Sequence, residues 1–136
     1  MKSSFQVGLT QEYSKVVTHD MTVEFEGRSL HELCSTYWLS HLAELVSYYL
    51  VKPYLEDQES SVGTGLSIRH FSSAGVGHQI NLKAVCTEYH GNYVKTEVET
   101  REGERLVSTA VVHQVVVPKT YLEELEAGIL AEQLSK

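Results

Sequence analysis

The stretch Ser35-Thr36-Tyr37-Trp38-Leu39-Ser40-His41-Leu42-Ala43-Glu44-Leu45-Val46-Ser47-Tyr48-Tyr49-Leu50-Val51 reads as a single helix and sets the plan of the chain. Leu39, Leu42, Ala43, Val46, Tyr49 and Leu50 recur at i, i+3, i+4, i+7, i+10 and i+11, which is one face of a 3.6-residue period. Leu45 and Tyr48 carry apolar character round to the other faces. A helix apolar nearly all round belongs in an interior, so the rest of the chain is expected to wrap it. Ser35 or Thr36 supplies the N-cap, and Pro53 ends the helix because it has no N–H and clashes with the preceding turn.

Working outward, the period changes on both sides. Residues 11–25 hold short β-compatible pieces, with Tyr13, Val16, Val17, Met21, Val23 and Phe25 as apolar members, and Gly27 breaks the pattern. Residues 56–61 are polar and are expected to form a loop. Beyond it the period is two. Leu66, Ile68 and His70 share one strand face, expected to be the core face; Ile80, Leu82, Ala84 and Cys86 share another, and Val94, Thr96 and Val98 follow. Residues 106–117 make a long β-branched strand, apolar on both faces. His90-Gly91-Asn92 and Arg101-Glu102-Gly103-Glu104 are short enough for hairpin turns, and residues 72–77 form a longer turn. Residues 121–134 are expected to close the chain as a helix interrupted at Gly128. The order is α+β: one helix packed on an antiparallel sheet. A curved sheet wrapped around a central helix fits it, and periodicity alone leaves other α+β layouts open.

The bulk properties narrow the function. A chain of 136 residues, 42% hydrophobic and 21% charged, is expected to be one domain that folds without a disulfide or a metal. The net charge of −7 argues against a general nucleic-acid or anionic-membrane surface, which needs clustered Lys and Arg. No stretch has the roughly 18 apolar residues of a membrane helix. No apolar h-region follows Met1-Lys2-Ser3-Ser4-Phe5, so no signal peptide is expected and the location is read as cytoplasmic. Cys34 and Cys86 form no CxxC motif and are expected to be free thiols. The seven histidines show no ligand spacing, so no metal is expected. Gly75-Val76-Gly77 lacks the spacing of a dinucleotide loop and reads as a turn.

Three residues carry candidate chemistry. Glu44 lies in the apolar helix between Ala43 and Leu45, where a carboxylate must be partnered, protonated or solvent-lined; His41, one turn back, is the bland partner. His70, on the Leu66–Ile68 face, is either a satisfied core histidine or a base that titrates near neutrality. Thr36 is a helix cap on its own, and a nucleophile only beside a base.

The stretch Thr36, Glu44, Pro53-Tyr54-Leu55-Glu56, Ser61-Val62-Gly63-Thr64 and His70 resembles the fluoroacetyl-CoA-specific thioesterase family. The resemblance is clear over residues 34–72 and looser from there to Val117. It implies a hotdog fold, acyl-CoA thioesterase activity and a Thr/Glu/His site on Thr36, Glu44 and His70. It places substrate binding on Gly63 and Thr64, with Gly63 offering a backbone N–H to the thioester oxygen. It implies no cofactor, CoA entering as part of the substrate, and a homodimer or larger homo-oligomer. Two departures stand out. The residues Glu26-Gly27-Arg28-Ser29-Leu30-His31 contain no aromatic where the family has its phenylalanine gate, and no arginine stands near Val112 where the family has one. Arg69, Lys83 and Lys119 are candidates for the CoA phosphates. Tyr37, Trp38 and Phe71 are bulky enough to keep the acyl pocket small. On helix geometry, Thr36 and Glu44 flank the thioester, with His70 between them. A hydratase lacks its Asp/His motif here; an acyl-CoA-binding module without turnover shares every feature above.

Overall fold

The helix forms where its periodicity places it. In the computed structural model, which describes residues 1–134, α1 spans Thr36–Val51. Ser35 is the cap: its backbone is extended and its hydroxyl accepts from the Trp38 N–H at 3.1 Å. Leu39, Leu42, Ala43, Val46, Leu50 and Val51 are buried. Each large aliphatic among them contributes roughly 1.5–3 kcal/mol by leaving water. Ser47 is buried too; it donates to the Ala43 carbonyl at 2.8 Å and lies 2.6 Å from the Thr96 hydroxyl, which ties the helix to the sheet beneath.

The strands are β1 (Thr10–Val16), β2 (Thr22–Phe25), β3 (Arg28–Cys34), β4 (Glu59–His70), β5 (Gln79–His90), β6 (Tyr93–Glu102) and β7 (Arg105–Pro118), followed by α2 (Lys119–Leu134). Five of them form one antiparallel sheet in the order β1-β5-β6-β7-β4, and β2 pairs with β3 separately. The sheet's inner face presents Ile80, Leu82, Ala84, Cys86, Val94, Val98, Ala110 and Val112 to α1, all buried. The helix contacts all five strands of this sheet. No helix of the described residues is long and apolar enough to cross a membrane.

Four expectations need correction. Residues 59–61, read as loop, already belong to β4: they lie on a sheet edge, where polar side chains stay solvated. The strand β3 was not foreseen. Its residues are mostly exposed and show no alternation, and it exists because Glu26 (φ 53°) and Gly27 (φ 78°) make a two-residue turn with positive φ at both positions. The helix α2 begins at Lys119 and runs through Gly128 unbroken. Leu66, Ile68 and His70 do share the inner face with Ala110 and Val112, but Leu66 and His70 are exposed and Ile68 half-buried, because β4 is the last strand of the sheet.

Candidate active site

With Ser35 as the cap, Thr36 is the first helical residue and its side chain is not spent on capping. Its Oγ1 instead lies 3.0 Å from Nδ1 of His70, the last residue of β4. The cap takes the Trp38 N–H, which leaves the N–H groups of Thr36 and Tyr37 without an intrahelical acceptor at the positive end of the helix dipole. A hydroxyl and an imidazole thus meet at a helix start. The sequence named Thr36 as a candidate but left the cap open between Ser35 and Thr36, and the structure gives it to Ser35.

Glu44 lies eight residues along the helix, roughly 12 Å further on. It faces Gly63: a methyl group built on Gly63 would lie 3.8 Å from Glu44 Oε2. Gly63 and His70 are seven residues apart on one strand, so they would ordinarily face opposite ways. The register shifts between Gly63 and Gly65, Thr64 being the extra residue of a bulge, and the shift turns Gly63 to the inner face with His70. The chain therefore brings Thr36 to His70 and Glu44 to Gly63, as two pairs. His70 does not stand between Thr36 and Glu44, because α1 and β4 run in opposite directions and match end to end.

Thr36, Glu44 and His70 are all exposed in the single chain, so burial is not what marks them. Glu44 makes no hydrogen bond or ion pair among the described residues; His41 turns its ring edge-on to Trp38 instead. Glu44, Gly63, Gly65, Leu66 and Val112 line a depression of about 150 Å³. Thr36 and His70 share one of about 170 Å³ with Cys34. Burial pushes the Cys34 thiol up to about 11, so it is neutral near pH 7 and is no rival nucleophile. On the other side of Thr36, a cleft of about 440 Å³ is walled by Val23 and Phe25 of β2 and by Tyr37 and Trp38. Phe71 lies elsewhere, exposed, its ring 5.9 Å from the Arg69 guanidinium.

A five-stranded antiparallel sheet curved about one helix, with a Thr–His pair at the helix start, defines a hotdog-fold protein. The chain belongs to the fluoroacetyl-CoA-specific thioesterase family, whose sequence pattern matches residues 17–120. A Thermus thermophilus thioesterase superfamily member is 29% identical, with a TM-score of 0.93 and coverage of 98% of this chain and 99% of that one. A hot-dog-like protein from Thermanaerovibrio acidaminovorans is 22% identical, with a TM-score of 0.85 and coverage of 91% and 92%. The fluoroacetyl-CoA thioesterase itself is 21% identical, with a TM-score of 0.84 and coverage of 95% and 98%. A search of the curated proteins finds no match.

Proposed function

We propose that the chain is an acyl-CoA thioesterase that hydrolyses a small or medium acyl-CoA thioester to the free acid and CoA, through Thr36, Glu44 and His70. The observation that carries this reading is the 3.0 Å contact between the Thr36 hydroxyl and the His70 imidazole at a helix start with free N–H groups. Hydrolysis adds water across the C–S bond, with oxygen going to the acyl carbon and a proton to the departing sulfur. His70 accepts the proton as the attack occurs and returns it to sulfur. The Thr36 and Tyr37 amides, and the Gly63 amide, stabilise the oxyanion. Glu44 orients the attacking group or adds to the carbonyl itself. The cleft beside Thr36, with Val23, Phe25, Tyr37 and Trp38 on its walls and the carboxylates Asp20 and Glu24 also lining it, suits a neutral acyl chain better than an anionic one. One variant of the fluoroacetyl-CoA thioesterase has been solved with fluoroacetate and CoA and another with acetyl-CoA, which supports a thioester of CoA as the substrate class.

The two half-sites are joined by a second copy of the chain. The edge strand β4 carries no charged side chain from Ser60 to Ile68, an unprotected edge that favours pairing. An antiparallel pairing of β4 with its twin, centred on Ser67 and with Thr64 as the extra residue of each bulge, sets Gly63 of one protomer opposite His70 of the other. Glu44 then meets the partner's Thr36 and His70, and each dimer holds two composite sites.

The test is thiol release from a panel of acyl-CoAs, acetyl to long-chain and aromatic. Cys34 and Cys86 are buried, so the folded protein contributes little background. Glu44→Gln and His70→Ala should each lower kcat by about 10²–10⁴ with the fold intact. Tight acyl-CoA binding with no release by the wild type would instead identify a binding module, and full turnover in both variants would dismiss the site.

A further inference from the structure

Among the described residues, one buried side-chain polar atom lacks a hydrogen-bond partner: Nε2 of Gln114. Gln114 is only 4% exposed. It sits on the inner face of β7 between Val112 and Val116, two residues either side, where an aliphatic side chain would pack without a polar penalty. Its carbonyl oxygen accepts from the Ser61 hydroxyl at 2.6 Å. With its oxygen on Ser61, the amide turns both N–H donors away from that residue. A buried amide donor without an acceptor destabilises a fold and asks for a reason.

The register supplies one. Gln114 is paired with Gly63 across β7 and β4, and both face α1. Above the same glycine lies Glu44 Oε2, 3.8 Å from where a Cβ would stand. A donor without an acceptor and a carboxylate without a donor therefore flank a residue with no side chain to separate them. We infer that Gln114 is a positioning residue for Glu44: its amide donates over the bare α-carbon of Gly63 to the Glu44 carboxylate. The Glu44 side chain is solvent-exposed, and its rotation toward the sheet closes the gap. Held in this way, one carboxylate oxygen is fixed and the other points at the substrate. The inference deepens the proposed reading of Glu44 and rests on it for its catalytic consequence, while the contact itself does not.

The test separates the two. In ¹⁵N-labelled protein, the Gln114 side-chain NH₂ signals, assigned through their own backbone, should shift on Glu44→Ala, at an exposed position that the fold tolerates. This readout stands even if the protein hydrolyses nothing. For the consequence, Gln114→Met removes the donors at similar volume. It should lower kcat about ten- to hundredfold with KM unchanged, the range a misplaced catalytic group shows. Its melting temperature should stay close to the wild type's, because Met fills a similar volume and the carboxylate left without the amide is exposed to water. In a Glu44→Gln background, Gln114→Met should cost nothing further. Unmoved NH₂ signals, or the same loss of kcat in both backgrounds, would overturn the inference. So would a Gln114→Met protein that melts lower and keeps its kcat, since that is the mark of a purely structural glutamine. Loss of the Glu44→Gln effect alone, with the NH₂ signals still shifting, would leave the contact standing and remove the thioesterase assignment.

Discussion

At Gly63 an added methyl finds ordinary van der Waals room, its nearest neighbour being Glu44 Oε2 at 3.8 Å. At Gly65, two residues on and facing the other way, the same methyl lies 3.1 Å from Cδ2 of His113, whose ring is held by the Tyr93 hydroxyl at 2.6 Å. The two substitutions should therefore separate. Gly63→Ala should unfold within about 0.5 kcal/mol of wild type, as benign substitutions do, yet lose turnover because the methyl stands where substrate must meet Glu44. Gly65→Ala should cost about 1–3 kcal/mol through overpacking. Urea titrations beside thiol-release kinetics check both. A second residue-scale expectation concerns Cys34. Burial raises its thiol from 9.0 to about 11. The unfolded chain thus gives up this proton first, and stability that is complete below pH 9 declines as pH climbs toward 11. Cys34→Ala should flatten that decline relative to wild type in unfolding midpoints measured across the window.

Elements meet here through a few polar links set in apolar faces. Ser47 of α1 and Thr96 of β6 are both buried and bonded to each other at 2.6 Å. Ser47→Ala strands the Thr96 hydroxyl, so it should cost about 1–3 kcal/mol, while Ser47→Ala with Thr96→Val should recover much of that loss. Denaturant titration of the two variants decides whether this bond or the surrounding packing seats the helix. The same apolar faces explain what could be read in advance. The helix and the strands β5 to β7 were legible because they are half or fully buried and their side chains record the period of the backbone. The strand β3 was not, since it pairs only with β2 and its exposed residues record nothing. The contact between Thr36 and His70 depends on which of Ser35 and Thr36 takes the cap, a choice that both residues satisfy chemically. The facing of Gly63 was hidden by the bulge at Thr64, which reverses strand parity without a marker in composition. Gln114, one polar residue in a long β-branched strand, reads as a tolerated exception until its pairing with Gly63 is known.

The whole molecule has its chemistry divided. Thr36 with His70, and Glu44 with Gly63, lie at opposite ends of the α1–β4 contact, too far apart to act on one thioester within a chain. Either a single pair suffices, or two chains complete each other across β4. These alternatives differ in stoichiometry, which mixing can read. Suppose Thr36→Val and Glu44→Gln are each inactive and are unfolded and refolded together in equal amounts. In a two-fold dimer with composite sites, a mixed dimer carries both lesions in one site and leaves the other site wild-type. About half of the dimers are mixed by chance, so the mixture should regain about a quarter of wild-type activity. Sites contained within one chain would regain none, because every chain carries a lesion. The parallel test is on the edge itself: Leu66→Lys, at an exposed position in the middle of β4, brings two like charges into diagonal contact across the pairing. It should elute at monomer size with activity lost and helix content kept. A monomer that still hydrolyses at the wild-type rate would show that one pair is the whole site, and would return Glu44 to the solvated face of its helix.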